Sequence, residues 1–167
     1  AIYSESDILA KVNGAEKENI KGVLEEYNQV LCIDLTLGNI SDEAKDKIFE
    51  NISDTDFSKI TELKTYMGEW ILLARVNEAQ KEEVLDIISK DEYGFDAERL
   101  ELLDSLEKVT DAVFDKNFEN YETLKKTYFE ALCMEEMKDA DRTSIKDILT
   151  YYDEYLTRTE DKDGNVI

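Results

Sequence analysis

Apolar residues in this chain fall three and four positions apart, and the same spacings return further on. Ile20, Val23, Leu24, Tyr27 and Leu31 put one stripe on one face of a helix. Ile8, Leu9 and Val12 do the same ahead of them, behind Ser4 and Asp7, a capping pair three residues apart. Asn13 and Gly14 then break the run, since both residue types tolerate the left-handed conformation that ends helices. After a loop at residues 32–39, a third helix starts at Ser41 and carries Ala44, Ile48, Phe49 and Ile52. Its Asp42 and Glu43 sit where the helix dipole favours negative charge. Ile60, Leu63 and Met67 mark a fourth helix.

This set of elements is duplicated. Val12-Asn13-Gly14-Ala15 returns as Val76-Asn77-Glu78-Ala79 and, degraded, as Met137-Lys138-Asp139-Ala140, at offsets of about 64 and about 61 residues. Ile8, Leu9 and Val12 correspond to Leu72, Leu73 and Val76, then to Cys133, Met134 and Met137. Ile20, Val23 and Leu24 become Val84, Ile87 and Ile88, then Ile145, Ile148 and Leu149. The third helix returns through Leu102, Leu106, Val109 and Val113, and the fourth through Tyr121, Leu124 and Tyr128. Tyr66 to Val76 and Tyr128 to Met137 contain no stop signal, so adjacent units share continuous helices. The expectation is an all-α helical bundle of two and a half tandem four-helix repeats. Residues 1–70 form the first repeat, 71–131 the second and 132–156 a partial third. A polar tail, or the start of a following module, occupies 157–167.

Composition strengthens the helical reading. The 167 residues include no proline, where average usage would supply roughly eight. Proline removes a helix donor and clashes with the preceding turn, so its absence permits long helices. A hydrophobic share of 42% is enough for a packed core despite 37% charged residues.

Charge narrows the function. Forty-one acidic against twenty basic residues give a net charge of −21, which disfavours nucleic acid and anionic lipid as partners. No apolar run reaches the length needed to span a bilayer. Cys32 and Cys133 lie among apolar neighbours and read as small buried hydrophobes, with a bridge between them left open. The chain begins Ala1-Ile2-Tyr3, which fits a mature secreted protein or an excised fragment.

Candidate chemistry is sparse. With no histidine, the commonest general base and the Ser-His and Cys-His arrangements are missing. No glycine-rich phosphate loop occurs. The acidic pairs Glu25-Glu26, Glu82-Glu83 and Glu135-Glu136 read as solvated faces. Asp161, Asp163 and Asn165 alternate in the manner of a calcium loop, but the sixth position is Val166 and no closing glutamate follows. The segment reads as a turn, and these three remain the only candidate metal ligands. Among Tyr151, Tyr152 and Tyr155, Tyr152 belongs to the repeated stripe, aligned with Tyr27. Tyr151 is off-stripe and the better candidate for an exposed contact, and Tyr155 is kept beside it as a partner-binding residue. Trp70 lies on the shared helix, where packing is its expected role.

The layout resembles helical repeats of multi-module extracellular surface proteins of Gram-positive bacteria. The Val-Asn-x-Ala breaks, the Leu31-x-Ile33-Asp34-Leu35 segment and the Phe57…Leu63 pair returning as Phe118…Leu124 carry the likeness over roughly residues 8–155. In the second copy the Ile-Asp-Leu segment is replaced by Phe95-Asp96. The resemblance implies an extracellular or cell-surface location and a role as spacer or as a protein or cell-wall interaction segment. It carries over no catalytic residues, and no cofactor is expected. The alternative is an acidic mimic of nucleic acid that inhibits a basic partner protein.

Overall fold

A computed structural model describes residues 4–90, 94–138, 140–153 and 155–156. Among these, all regular structure is helical. The α-helices are α1 (Glu5–Asn13), α2 (Ile20–Glu26), α3 (Asn28–Leu31), α4 (Asp42–Ser53), α5 (Ile60–Glu78), α6 (Val84–Ser89), α7 (Glu107–Val113), α8 (Tyr121–Met137) and α9 (Arg142–Asp153). A 3-10 helix, Ala97–Leu102, precedes α7. The chain divides into two compact units, Ala1–Arg75 and Val76–Ile167.

In the first unit, the Ser4 hydroxyl caps α1 by accepting the Asp7 N–H at 3.2 Å. Ile8, Leu9 and Val12 are buried. The helix ends at Asn13, but Gly14 has φ −89° and is not left-handed. The break therefore does not need glycine, and Glu78 stands at the matching place in the second unit. The stripe from Ile20 to Leu31 is not one helix: the backbone relaxes at Tyr27 (φ −98°, ψ 11°), dividing it into α2 and α3. Ile20, Leu24, Tyr27 and Leu31 are nevertheless all buried.

Cys32 ends α3 in the left-handed region at φ 53° and is exposed. That corrects the expectation of a buried hydrophobe, because the reversal of the chain turns its side chain outward. Leu37 is also left-handed, at φ 55°, yet its side chain is fully buried. The backbone strain, about 1–2 kcal/mol, is offset by burial of a leucine, about 1.5–3 kcal/mol. Ser41 caps α4 by accepting the Ala44 N–H at 3.2 Å. Ile48, Phe49 and Ile52 of α4 then close the core with Phe57, Leu63 and Met67.

In the second unit, α6 buries Val84 and Ile88. The expected third helix is cut short. Leu102 is 64% exposed and Leu106 42% exposed; Leu100 is buried instead, and α7 begins only at Glu107. A 3-10 turn repeats every three residues, so Leu100 faces inward while Leu102 is turned away. Val109 and Val113 occupy their expected buried places. Tyr121, Leu124, Tyr128, Phe129, Leu132 and Cys133 form the buried face of α8. Met134 is a further correction at 70% exposed, because Leu132 and Cys133 already face inward and the next position is rotated out. α9 packs against α8 and buries Tyr152.

Candidate functional site

Two polar contacts recur at matching places in the two units. The Asn13 side chain reaches the backbone of Phe57: its Nδ2 donates to the carbonyl at 2.9 Å and its Oδ1 accepts the N–H at 2.9 Å. Asn77 does the same to Phe118, again at 2.9 Å and 2.9 Å. Each asparagine thus acts as an amide clasp, satisfying both backbone groups of the phenylalanine just ahead of a long helix, α5 for Phe57 and α8 for Phe118. Each unit also has an ion pair from a turn to a helix: from the turn before α2 to α4 in the first, and from the turn before α6 to α7 in the second. Lys17 meets Glu50 at 3.3 Å in the first unit, and Lys81 meets Asp111 at 2.9 Å in the second. The hydrogen bond and charge of that contact hold the Asp111 carboxyl below its ordinary pKa and raise that of Lys81.

Sequence reasoning missed a cluster of another kind in the second unit. Arg99, from the 3-10 helix, donates two hydrogen bonds to Glu136 of α8, Nη2 to Oε1 at 2.7 Å and Nε to Oε2 at 3.3 Å. The Tyr152 hydroxyl donates to the same carboxylate. The guanidinium also lies 3.8 Å from the centroid of the Tyr151 ring. The Glu136 side chain is only 8% exposed. Glu135-Glu136 is therefore not a solvated pair, and Glu135 is itself shielded and bridged to Lys138 at 2.8 Å. Burial pushes the Tyr152 hydroxyl pKa upward, reinforced by the Glu136 carboxylate and opposed by Arg99. Burial opposes the Arg99 charge, but its contacts with Tyr152 and Glu136 outweigh it and raise its pKa.

The tyrosines proposed for partner contact belong to this packing. Tyr151 is half-buried rather than exposed, with its ring under Arg99 and its hydroxyl shielded from solvent. The ring of Tyr155 stacks on Phe129, with centroids 4.0 Å apart and planes 14° apart. Trp70 is half-buried, edge-on to Tyr66 at 6.1 Å, against the core of the first unit. The arrangement is one of mutual packing and charge neutralisation: a desolvated carboxylate held by a bidentate arginine and a phenol.

The first unit has an open groove of about 680 Å³ between α2, the 33–36 loop and α4. Lys21, Lys45, Asp34 and Asp46 line it, with Ile33 and Phe49 as its apolar part. Asp34 is engaged within its own turn, accepting the Thr36 hydroxyl at 2.6 Å and N–H at 3.0 Å, which lowers its pKa. Mixed charges in an open trough offer ordinary hydrogen bonding to a polar partner. Among the described residues no group of three or more acidic or cysteine side chains is placed to hold a metal ion. The candidates Asp161, Asp163 and Asn165 lie outside the described residues. No described helix is long and apolar enough to cross a membrane. Compared with family models, curated proteins and solved structures, the chain matches none.

Proposed function

We propose that this chain is a non-enzymatic helical repeat module of a secreted or cell-surface protein, serving as a spacer or as a protein or cell-wall interaction segment. It is built of two tandem four-helix units and the first half of a third, joined through α5 and α8. The observation that carries this reading is the pair of amide clasps. An asparagine at one break and its counterpart at the next each hold the backbone of a phenylalanine, with the same two bonds at the same distances. Core stripes recur in unrelated bundles because any helix needs them; the clasp instead requires one amide side chain to meet both backbone groups of one distant residue. The two ion pairs, Lys17 with Glu50 and Lys81 with Asp111, repeat in step with the clasps.

The mechanism is geometric. Repeated units set the separation of whatever stands at either end, and the charge of −21 opposes collapse onto anionic polymers. Inserting a second copy of residues 71–131 tests it. Small-angle scattering should show a stepwise rise in radius of gyration with helical content per residue unchanged. A loss of helix per residue, or an unchanged radius, refutes the repeat. Saturable, salt-resistant binding of the labelled chain to isolated Gram-positive envelopes would assign the interaction role rather than the spacer role.

A further inference from the structure

In the first unit α4 lies against α2, and in the second α7 lies against α6. Both covering helices carry one signature: two buried aliphatic residues four apart with a carboxylate midway. In α4 these are Ile48, Glu50 and Ile52; in α7 they are Val109, Asp111 and Val113. The carboxylate meets a lysine three residues ahead of the first buried residue of the covered helix. That lysine is Lys17 ahead of Ile20, and Lys81 ahead of Val84. Arg142 stands in the same relation to Ile145 of α9.

The third position lacks its cover among the described residues. Arg142 is exposed and has no carboxylate partner there. Ile145 is only half-buried and Leu149 is 47% exposed, where their counterparts Ile20 and Leu24 in α2, and Val84 and Ile88 in α6, are fully buried. Exposed Lys146 adds a second cation to this face in a strongly acidic chain.

Building on the repeat reading, we infer that α9 is a docking face for one further acidic amphipathic helix of the α4 and α7 kind, supplied by another polypeptide segment. Two aliphatic residues four apart cover Ile145 and Leu149, and the carboxylate between them pairs with Arg142. The apolar contact provides the affinity. The ion pair, exposed like its two precedents, sets register.

The test uses the full chain and an acetylated, fluorescein-labelled peptide with the sequence of residues 41–54. Fluorescence anisotropy should show saturable binding, and amide shifts in an NMR titration should concentrate on α9. Arg142→Glu should weaken binding about fivefold, the range of an exposed pair, and a peptide carrying lysine in place of Glu50 should recover it. Leu149→Asp, at an exposed position that circular dichroism should show still folded, should abolish binding. Absence of saturable binding overturns the inference. So does binding indifferent to both substitutions, or shifts confined to the first unit. Leu149-dependent self-association without peptide also overturns it, by making a second copy the occupant. None of these results bears on the radius measured for the lengthened chain, so this inference and the repeat reading fail separately.

Discussion

Replacing Asn13 by alanine removes two hydrogen bonds and leaves the N–H and carbonyl of Phe57 without their side-chain partner. At a net 0.5–1.5 kcal/mol per bond, and with water able to reach a half-buried site in part, the expected loss is about 2 kcal/mol. For a unit of this size that is a fall in Tm of roughly 8–16 °C, read by circular dichroism or as a reduced urea midpoint with unchanged slope. Asn77→Ala should cost the same within about 0.5 kcal/mol, because its two bonds have the same lengths. The two clasps share no partner, so the double variant should be additive. Asn13→Asp sharpens the test. It keeps the acceptor for the Phe57 N–H but sets a carboxylate oxygen against the carbonyl, so at neutral pH it should be no more stable than the alanine variant. Protonation supplies a donor, which raises the folded-state pKa of the new carboxyl. Stability is then present below about pH 4 and lost as pH rises through that folded value. An alanine variant within 0.5 kcal/mol of the parent, or an aspartate variant as stable as the parent, would refute the reasoning.

Arg99→Ala leaves the Glu136 carboxylate desolvated and without its cation. Allowing for partial exposure of the arginine, it should cost about 2–3 kcal/mol and couple to Tyr152→Phe by at least 0.5 kcal/mol in a double-mutant cycle. Burial first, and then nearby carboxylates, raise the pKa of the Tyr128 and Tyr152 hydroxyls. Their contribution to stability is full below about pH 10 and lost as pH rises through the folded values. Absorbance at 295 nm should show both ionising above the range of a free tyrosine, about pH 10, and ionisation within that range would contradict the packing. Exposed Cys32 should react with a thiol reagent at once. Buried Cys133, its pKa raised by burial and by Glu136, should react only on unfolding; two fast equivalents would overturn its placement.

Much of the fold was legible in sequence wherever helical periodicity and burial coincide. Ile20 with Leu24, Val84 with Ile88, and Leu63 with Met67 show this. The periodicity misled where the helix type changed. Leu102 and Leu106 keep an α-helical spacing, but Leu102 ends a 3-10 helix that turns Leu100 inward, and residues 103–106 are not helical. Cys32 has apolar neighbours, and nothing in the local sequence announces the left-handed backbone that exposes it. The polar contacts were harder still. Asn13 was visible as a break, but its partner is 44 residues away, and that of Asn77 is 41 away. Glu136 looked like one more surface acid because the arginine that compensates its burial is 37 residues distant. Ile145 and Leu149 match the buried pairs Ile20 with Leu24 and Val84 with Ile88 in spacing, yet Ile145 is half-buried and Leu149 47% exposed, because spacing within a helix does not say what packs against it.

The boundary between the two units falls inside α5, between Arg75 and Val76. During synthesis this gives folding a direction. Once Ile60 to Arg75 has settled on the first unit, the helix no longer faces the unfavourable first turn that limits isolated helices, and each further residue adds a hydrogen bond at little cost. Val76 and Asn77, which supply a buried side chain and the clasp of the second unit, are therefore presented on a formed helix before Phe118 has left the ribosome. The earlier unit acts as the seed for the later one. A helix-breaking residue at Arg75 should accordingly delay the second unit more than it weakens it.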